Sequence, residues 1–126
     1  MKPRKEDFMA KGVLLETAQS LSITLIEVCR VAKERKKEAV LINQMLRSGT
    51  SIGANIYEAK YAQSTLDFIS KMEIALKECH ETEYWLDVLH KSDCITDEEY
   101  KSLNVPCGKI RRMLIASINT AKKRIE

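Results

Sequence analysis

The sequence predicts an all-α fold, an antiparallel up-down-up-down four-helix bundle made by one domain spanning residues 1–126. Three observations lead there. Apolar side chains recur at alternating spacings of three and four through four long segments, which keeps them on one side of a helix. Gly 4 and Pro 2 are low counts, and neither proline (Pro3, Pro106) falls within residues 4–105, which is too little turn chemistry for a β-rich chain. The polar breaks between segments are short, so sequence neighbours must pack side by side. Hydrophobic residues make up 44% of the chain, enough to exclude a disordered one.

Each element follows from its own pattern. Residues 1–9 (MKPRKEDFM) are charged and read as a flexible N-terminus. A first helix is expected from about Lys11 to Lys36, on a stripe of Leu14, Ala18, Leu21, Leu25, Val28 and Ala32. After a polar turn at Glu34–Glu38, a second helix runs from about Glu38 to Ala62. Its inner stripe, Ile42, Leu46, Gly49, Gly53 and Ile56, contains two glycines. Each glycine costs a helix about 1 kcal/mol relative to alanine, so the pair signals a close neighbouring backbone. The apolar phase is unchanged across them, which favours one continuous helix over a broken one.

Ser64 is placed to cap a third helix, about Thr65 to Lys91, with Asp67 in its first turn. Phe68, Met72, Ala75, Cys79, Thr82, Leu86 and Leu89 line its inner side. Ser92-Asp93-Cys94-Ile95 is a turn. Thr96-Asp97-Glu98-Glu99 then has the capping-box pattern, so a fourth helix starts near Asp97. Pro106 removes a backbone donor and crowds the preceding turn. A kink or short break is therefore expected near Asn104–Pro106 before the helix continues to about Arg124.

The net charge of +3 is mild, but the charge is unevenly spread. Six basic residues and no acid lie between Lys109 and Arg124, and five more cluster between Arg30 and Lys37. An up-down bundle would gather both termini and the turn between the second and third helices at one end. That yields a candidate nucleic-acid-binding surface of Arg4, Lys5, Lys60, Lys122, Lys123 and Arg124, with Arg111 and Arg112 beside it. No aromatic-basic stacking platform is evident, so contacts would go mostly to phosphate. The four cysteines are widely spaced and form no CxxC. With no apolar span and no leader pattern, they read as reduced thiols in a cytoplasmic protein.

The run Leu46-Arg47-Ser48-Gly49-Thr50-Ser51-Ile52-Gly53-Ala54-Asn55-Ile56-Tyr57-Glu58-Ala59 resembles the signature of a bacterial four-helix-bundle family. That family includes proteins encoded in 23S rRNA intervening sequences. Asp67-Phe68-Ile69-Ser70-Lys71 and the stretch from Lys77 to Leu86 are similar to it too, and the likeness covers about residues 10–124. The chain departs at Tyr57-Glu58-Ala59-Lys60, where many members have Glu then Gly, and at Pro106. The resemblance implies a cytoplasmic bundle that assembles as a ring-like homopentamer. It also implies kinship with retroelement accessory variability proteins, which are basic pentamers that bind nucleic acid and a reverse transcriptase. For the intervening-sequence members it implies no defined activity.

Other candidate sites are weighed on residue chemistry. Arg47, Asn55 and Glu58 interrupt an apolar helix, and Glu73 and Glu83 on the third helix are possible partners. A polar network between helices or subunits would satisfy them. Ile23, Ile26, Trp85 and Val88 lie off the inner stripes and suit an oligomer interface. Cys79 and His80 are adjacent and point about 100° apart on a helix, so no metal or other cofactor is expected. No arginine stands four to six residues before His80 or His90, as in RNA-cutting bundles, and neither histidine has a glutamate three residues before it, as di-metal bundles require. No nucleophile–base pair or phosphate-binding glycine loop appears, so no enzyme is expected. The leading expectation is a non-enzymatic homo-oligomer that binds structured RNA or DNA. The alternative is a scaffold that docks a polymerase or ribosomal protein.

Overall fold

A computed structural model describes residues 12–35 and 37–125 of the chain. It holds four helices, α1 (Val13–Glu34), α2 (Ala39–Lys60), α3 (Thr65–Lys91) and α4 (Asp97–Arg124), and no strand among the described residues. Each helix packs against two others, α1 on α2, α2 on α3, α3 on α4 and α4 on α1. The all-α bundle expected from periodicity is what forms.

The helix ends obey the local chemistry. The Ser64 hydroxyl accepts from the Asp67 N–H at 3.0 Å. Thr96 and Glu99 close a full capping box, with bonds of 3.1 and 2.8 Å. At the end of α3 the chain turns sharply. The Cys94 N–H reaches back to the Leu89 carbonyl at 2.8 Å, and the Asp93 N–H to that of His90 at 3.1 Å, with Asp93 at φ 61. This Schellman arrangement needs a left-handed residue, a position that aspartate tolerates. Gly12, at φ 89, stands just before α1 and Arg35 follows its last residue; the expected ends Lys11 and Lys36 lie outside the described residues.

The interior holds the predicted stripes, with Leu14, Leu21, Leu25, Ile42, Ile52, Phe68, Met72, Leu86 and Leu114 all sealed from solvent. Two stripe residues depart: Leu46 is only partly buried and packs against the core from the side, and Ile125, expected to end the stripe of the fourth helix, is exposed. A buried hydroxyl pair joins α2 to α3, where Thr82 donates to Ser48 at 2.9 Å. α2 is continuous through its glycines. A methyl at Gly49 would collide with a Leu25 methyl, so glycine is what admits that side chain. The expected break near Pro106 is absent. α4 is helical from Asp97 to Arg124 with Pro106 inside it, because α1 and α3 pack along α4 and supply the stability that the lost backbone bond withdraws.

Candidate nucleic-acid interface

Contacts between helices give their relative directions. From α2 to α3, Ser48 meets Thr82, whereas Glu58, ten residues further on, pairs with the earlier residue Lys71 at 3.6 Å. From α3 to α4, His90 meets Asp97 at 2.6 Å, whereas Glu73 meets Lys122 at 3.6 Å. Both pairs are antiparallel. The last turn of α2, the first of α3 and the last of α4 therefore share one end of the bundle.

At that end Lys60, Lys123 and Arg124 are exposed, and none forms an ion pair with a described residue. Lys122 spans to Glu73, a half-exposed pair that contributes little and is easily exchanged. Arg111 is committed elsewhere. Its Nε donates to Glu83 at 3.2 Å across the α3–α4 seam, so it is not the accessible cation the sequence suggested. Arg112 is exposed and has no ion pair with a described residue. Arg4 and Lys5 lie outside the described residues.

At the opposite end some polar side chains are paired across the helix ends, while Arg30 and Lys37 are exposed without an ion pair to a described residue and Lys33 donates to the Asn43 amide at 3.0 Å. Arg35 holds Glu99, His90 meets Asp97, and Lys91 reaches Asp87 at 3.1 Å.

The structure also holds what the sequence reading missed. Tyr57 and Tyr61 are 50% and 62% exposed, with ring centroids 5.5 Å apart, and the Lys60 ammonium sits 5.8 Å from the Tyr61 ring. The sequence reading did not find this grouping of two exposed rings with a lysine. The signal was present, because two tyrosines four apart on a helix share a face. A hydrogen bond with Tyr61 pushes the Tyr57 hydroxyl above the usual tyrosine range.

The five candidate network residues do not join one another within the chain. Arg47 donates to Glu78 at 3.4 Å and to Glu81, not to Glu73 or Glu83. Asn55 turns back on its own helix, donating to the Ser51 carbonyl at 2.8 Å. Glu58 pairs with Lys71, Glu73 with Lys122, and Glu83 with Arg111. Arg47 and Glu58 are exposed rather than buried, because their helix positions point outward past the seam. Glu81 also accepts from the Trp85 indole at 3.1 Å, and these bonds hold its carboxyl below the usual range.

Ile23 and Ile26 are 68% and 50% exposed on α1, next to shallow grooves against α2. Trp85 and Val88 are half-buried on α3, and Trp85 packs against its own core. α1 and α3 stand across the bundle from each other, so these are two patches rather than one.

Among the described residues no cluster of metal-binding side chains exists, and no helix is long and apolar enough to cross a membrane. Cys79 instead faces Cys107, with sulfurs 3.5 Å apart in the interior.

A family model described as 23S rRNA-intervening sequence protein matches residues 12–116. The chain belongs to this family. The described bundle and the matched segment nearly coincide, so it is the packed domain that carries the membership. Among solved structures, the family member is similar to a crystal structure from Bacteroides thetaiotaomicron, described as a protein with unknown function from the S23 ribosomal protein family. The two share 44% sequence identity with a TM-score of 0.81, over 84% of this chain and 98% of that one. Comparison with curated proteins found no match.

Proposed function

We propose that this family member is a non-enzymatic, self-associating cytoplasmic bundle that binds structured RNA or DNA through the end carrying Lys60, Lys122, Lys123 and Arg124. The observation that carries the reading is the accessibility of Lys123 and Arg124. They lie in the last turn of α4, exposed and without a carboxylate partner among the described residues, at the same end as Lys60. Clustered free cations of this kind take phosphate oxygens and release counterions, which supplies affinity without base specificity. Arg112 extends the charge along α4, and Arg4 and Lys5 belong to the same proposed surface by their place in the sequence.

Self-association rests on the two separate apolar patches, Ile23 with Ile26 and Trp85 with Val88. Unlike patches on opposite sides suit a head-to-tail contact, which closes into a ring when the rotation permits. The homopentamer implied by the family resemblance is such a ring.

The test is a salt-titrated binding assay with a structured RNA. Affinity should fall linearly on logarithmic axes as salt rises. The triple variant Lys122→Glu, Lys123→Glu, Arg124→Glu should lose binding, and unchanged binding rejects the surface. A second reading, a scaffold for a polymerase or ribosomal partner, draws on the exposed Val40 and Val105. A pull-down that survives nuclease treatment favours it.

A further inference from the structure

The paired tyrosines at the end of α2 are a costly arrangement for a surface with only a structural role. Two large rings stand in water beside a cation, tilted 53° to one another. Tyr57 lies within the helix and Tyr61 caps it, so their backbone positions are set by α2 itself. A shallow apolar groove between α1 and α2 begins at the Tyr57 ring and runs past Leu15, Ile23 and Ala54. The small Gly53 and Ala54 leave that groove open. Lys60 stands between the two tyrosines in sequence, and its ammonium lies beside the outer ring.

Apolar rings alone would fit many occupants. The neighbouring charge narrows the choice, because an occupant with flat faces and a negative backbone satisfies both the rings and Lys60. Nucleobases offer π-faces to aromatic rings whatever their identity, and their phosphates offer the anion. A duplex cannot use the platform, because its bases are stacked on one another. We infer that Tyr57 and Tyr61 form a stacking platform for unpaired nucleobases of RNA, with Lys60 holding the adjacent phosphate.

This inference rests on the proposed nucleic-acid role and narrows its substrate from structured RNA in general to RNA that exposes unpaired bases. It also gives the charged end a means of telling a loop from a helix.

Three fluorescein-labelled probes test it: a short oligoadenylate, an abasic strand of the same length, and an RNA duplex. Wild type should bind oligoadenylate more tightly than the abasic strand. The double variant Tyr57→Ala, Tyr61→Ala should weaken oligoadenylate binding by about tenfold or more and leave duplex binding unchanged. The Tyr57→Phe, Tyr61→Phe variant keeps the rings and should bind as wild type does. Both positions are exposed, and circular dichroism checks that the helices persist. If the alanine variant binds oligoadenylate as wild type does, or the abasic strand binds equally well, the platform is refuted while the charged end stands. If wild type binds neither strand nor duplex, both readings fall.

Discussion

Arg35 grips Glu99 with both terminal nitrogens, at 3.1 and 2.8 Å, and so ties the end of α1 to the first turn of α4. The same guanidinium reaches the Cys94 carbonyl at 3.3 Å. Glu99 meanwhile accepts the Thr96 N–H, so one carboxylate serves both an inter-helix pair and a helix cap. Burial pushes the Glu99 carboxyl upward, but the bonds from Arg35 and Thr96 outweigh it and hold the group below its usual 4.5. A depressed folded value means that the unfolded chain takes up the proton more readily. The stabilisation is complete above about pH 4.5 and is lost as pH falls through the lower folded value. Glu99→Ala should cost about 1–2 kcal/mol at neutral pH. Urea unfolding of Glu99→Gln should show less acid sensitivity than wild type, and parallel pH profiles would contradict this.

The two inner glycines of α2 should respond oppositely to alanine. At Gly49 the new methyl collides with a methyl of the fully buried Leu25, which must shift against its core neighbours. At Gly53 the nearest atoms, in Ala18 and Ser22, are 3.6 Å away, ordinary contact. Gly49→Ala should therefore destabilise by about 1–3 kcal/mol despite its better helix propensity. Gly53→Ala should be neutral or stabilising by up to about 1 kcal/mol. Denaturant midpoints of the two variants decide it, and equal shifts would be the contrary result.

Pro106 lies in an otherwise intact helix, where it denies the ladder one backbone N–H. Pro106→Ala should restore that donor and raise stability by about 1–3 kcal/mol, visible as a higher melting temperature. A lower melting temperature would mean that the surrounding packing has come to require the proline.

All four cysteines are buried. Burial pushes the Cys29 thiol up to about 11, and Cys107 is pushed up by its contact with Cys79 and then by burial. Because the thiolate is the reactive form, a thiol reagent at neutral pH should label the native chain only as fast as it unfolds. Rapid labelling of the folded protein would refute this.

For self-association, Ile23→Glu combined with Ile26→Glu is a cleaner probe than Trp85→Ala, since Trp85 also packs on its own core. The charged pair should reduce the mass measured by light scattering, while the melting of the helices changes little. An unchanged mass would exclude the α1 patch from the interface.

Much of the architecture could be read from the order of residues because its causes are local. The apolar spacing of α1 to α4, the Ser64 cap and the Thr96–Glu99 box each depend on neighbours within a turn or two. The consequences of Pro106 could not be read this way. A local rule assigns proline a break, and only the packing of α1 and α3 along α4 overrides it. The polar residues of α2 show the same limit. Composition marked Arg47 and Glu58 as polar interruptions of an apolar helix, but that both are exposed, and which charges they meet across the seam, depends on the register of α2 against α3.

The helices, their caps and the identity of the core were thus settled by the amino-acid order, through short-range hydrogen bonding and the period of the helix. Which charges remain free was settled by the folded arrangement. Antiparallel packing pairs Arg35 with Glu99 and Arg111 with Glu83, and leaves Lys123 and Arg124 exposed at the end that also presents Tyr57 and Tyr61. Pairing depends on distance in space, and residues remote along the chain acquire that distance only when the helices dock.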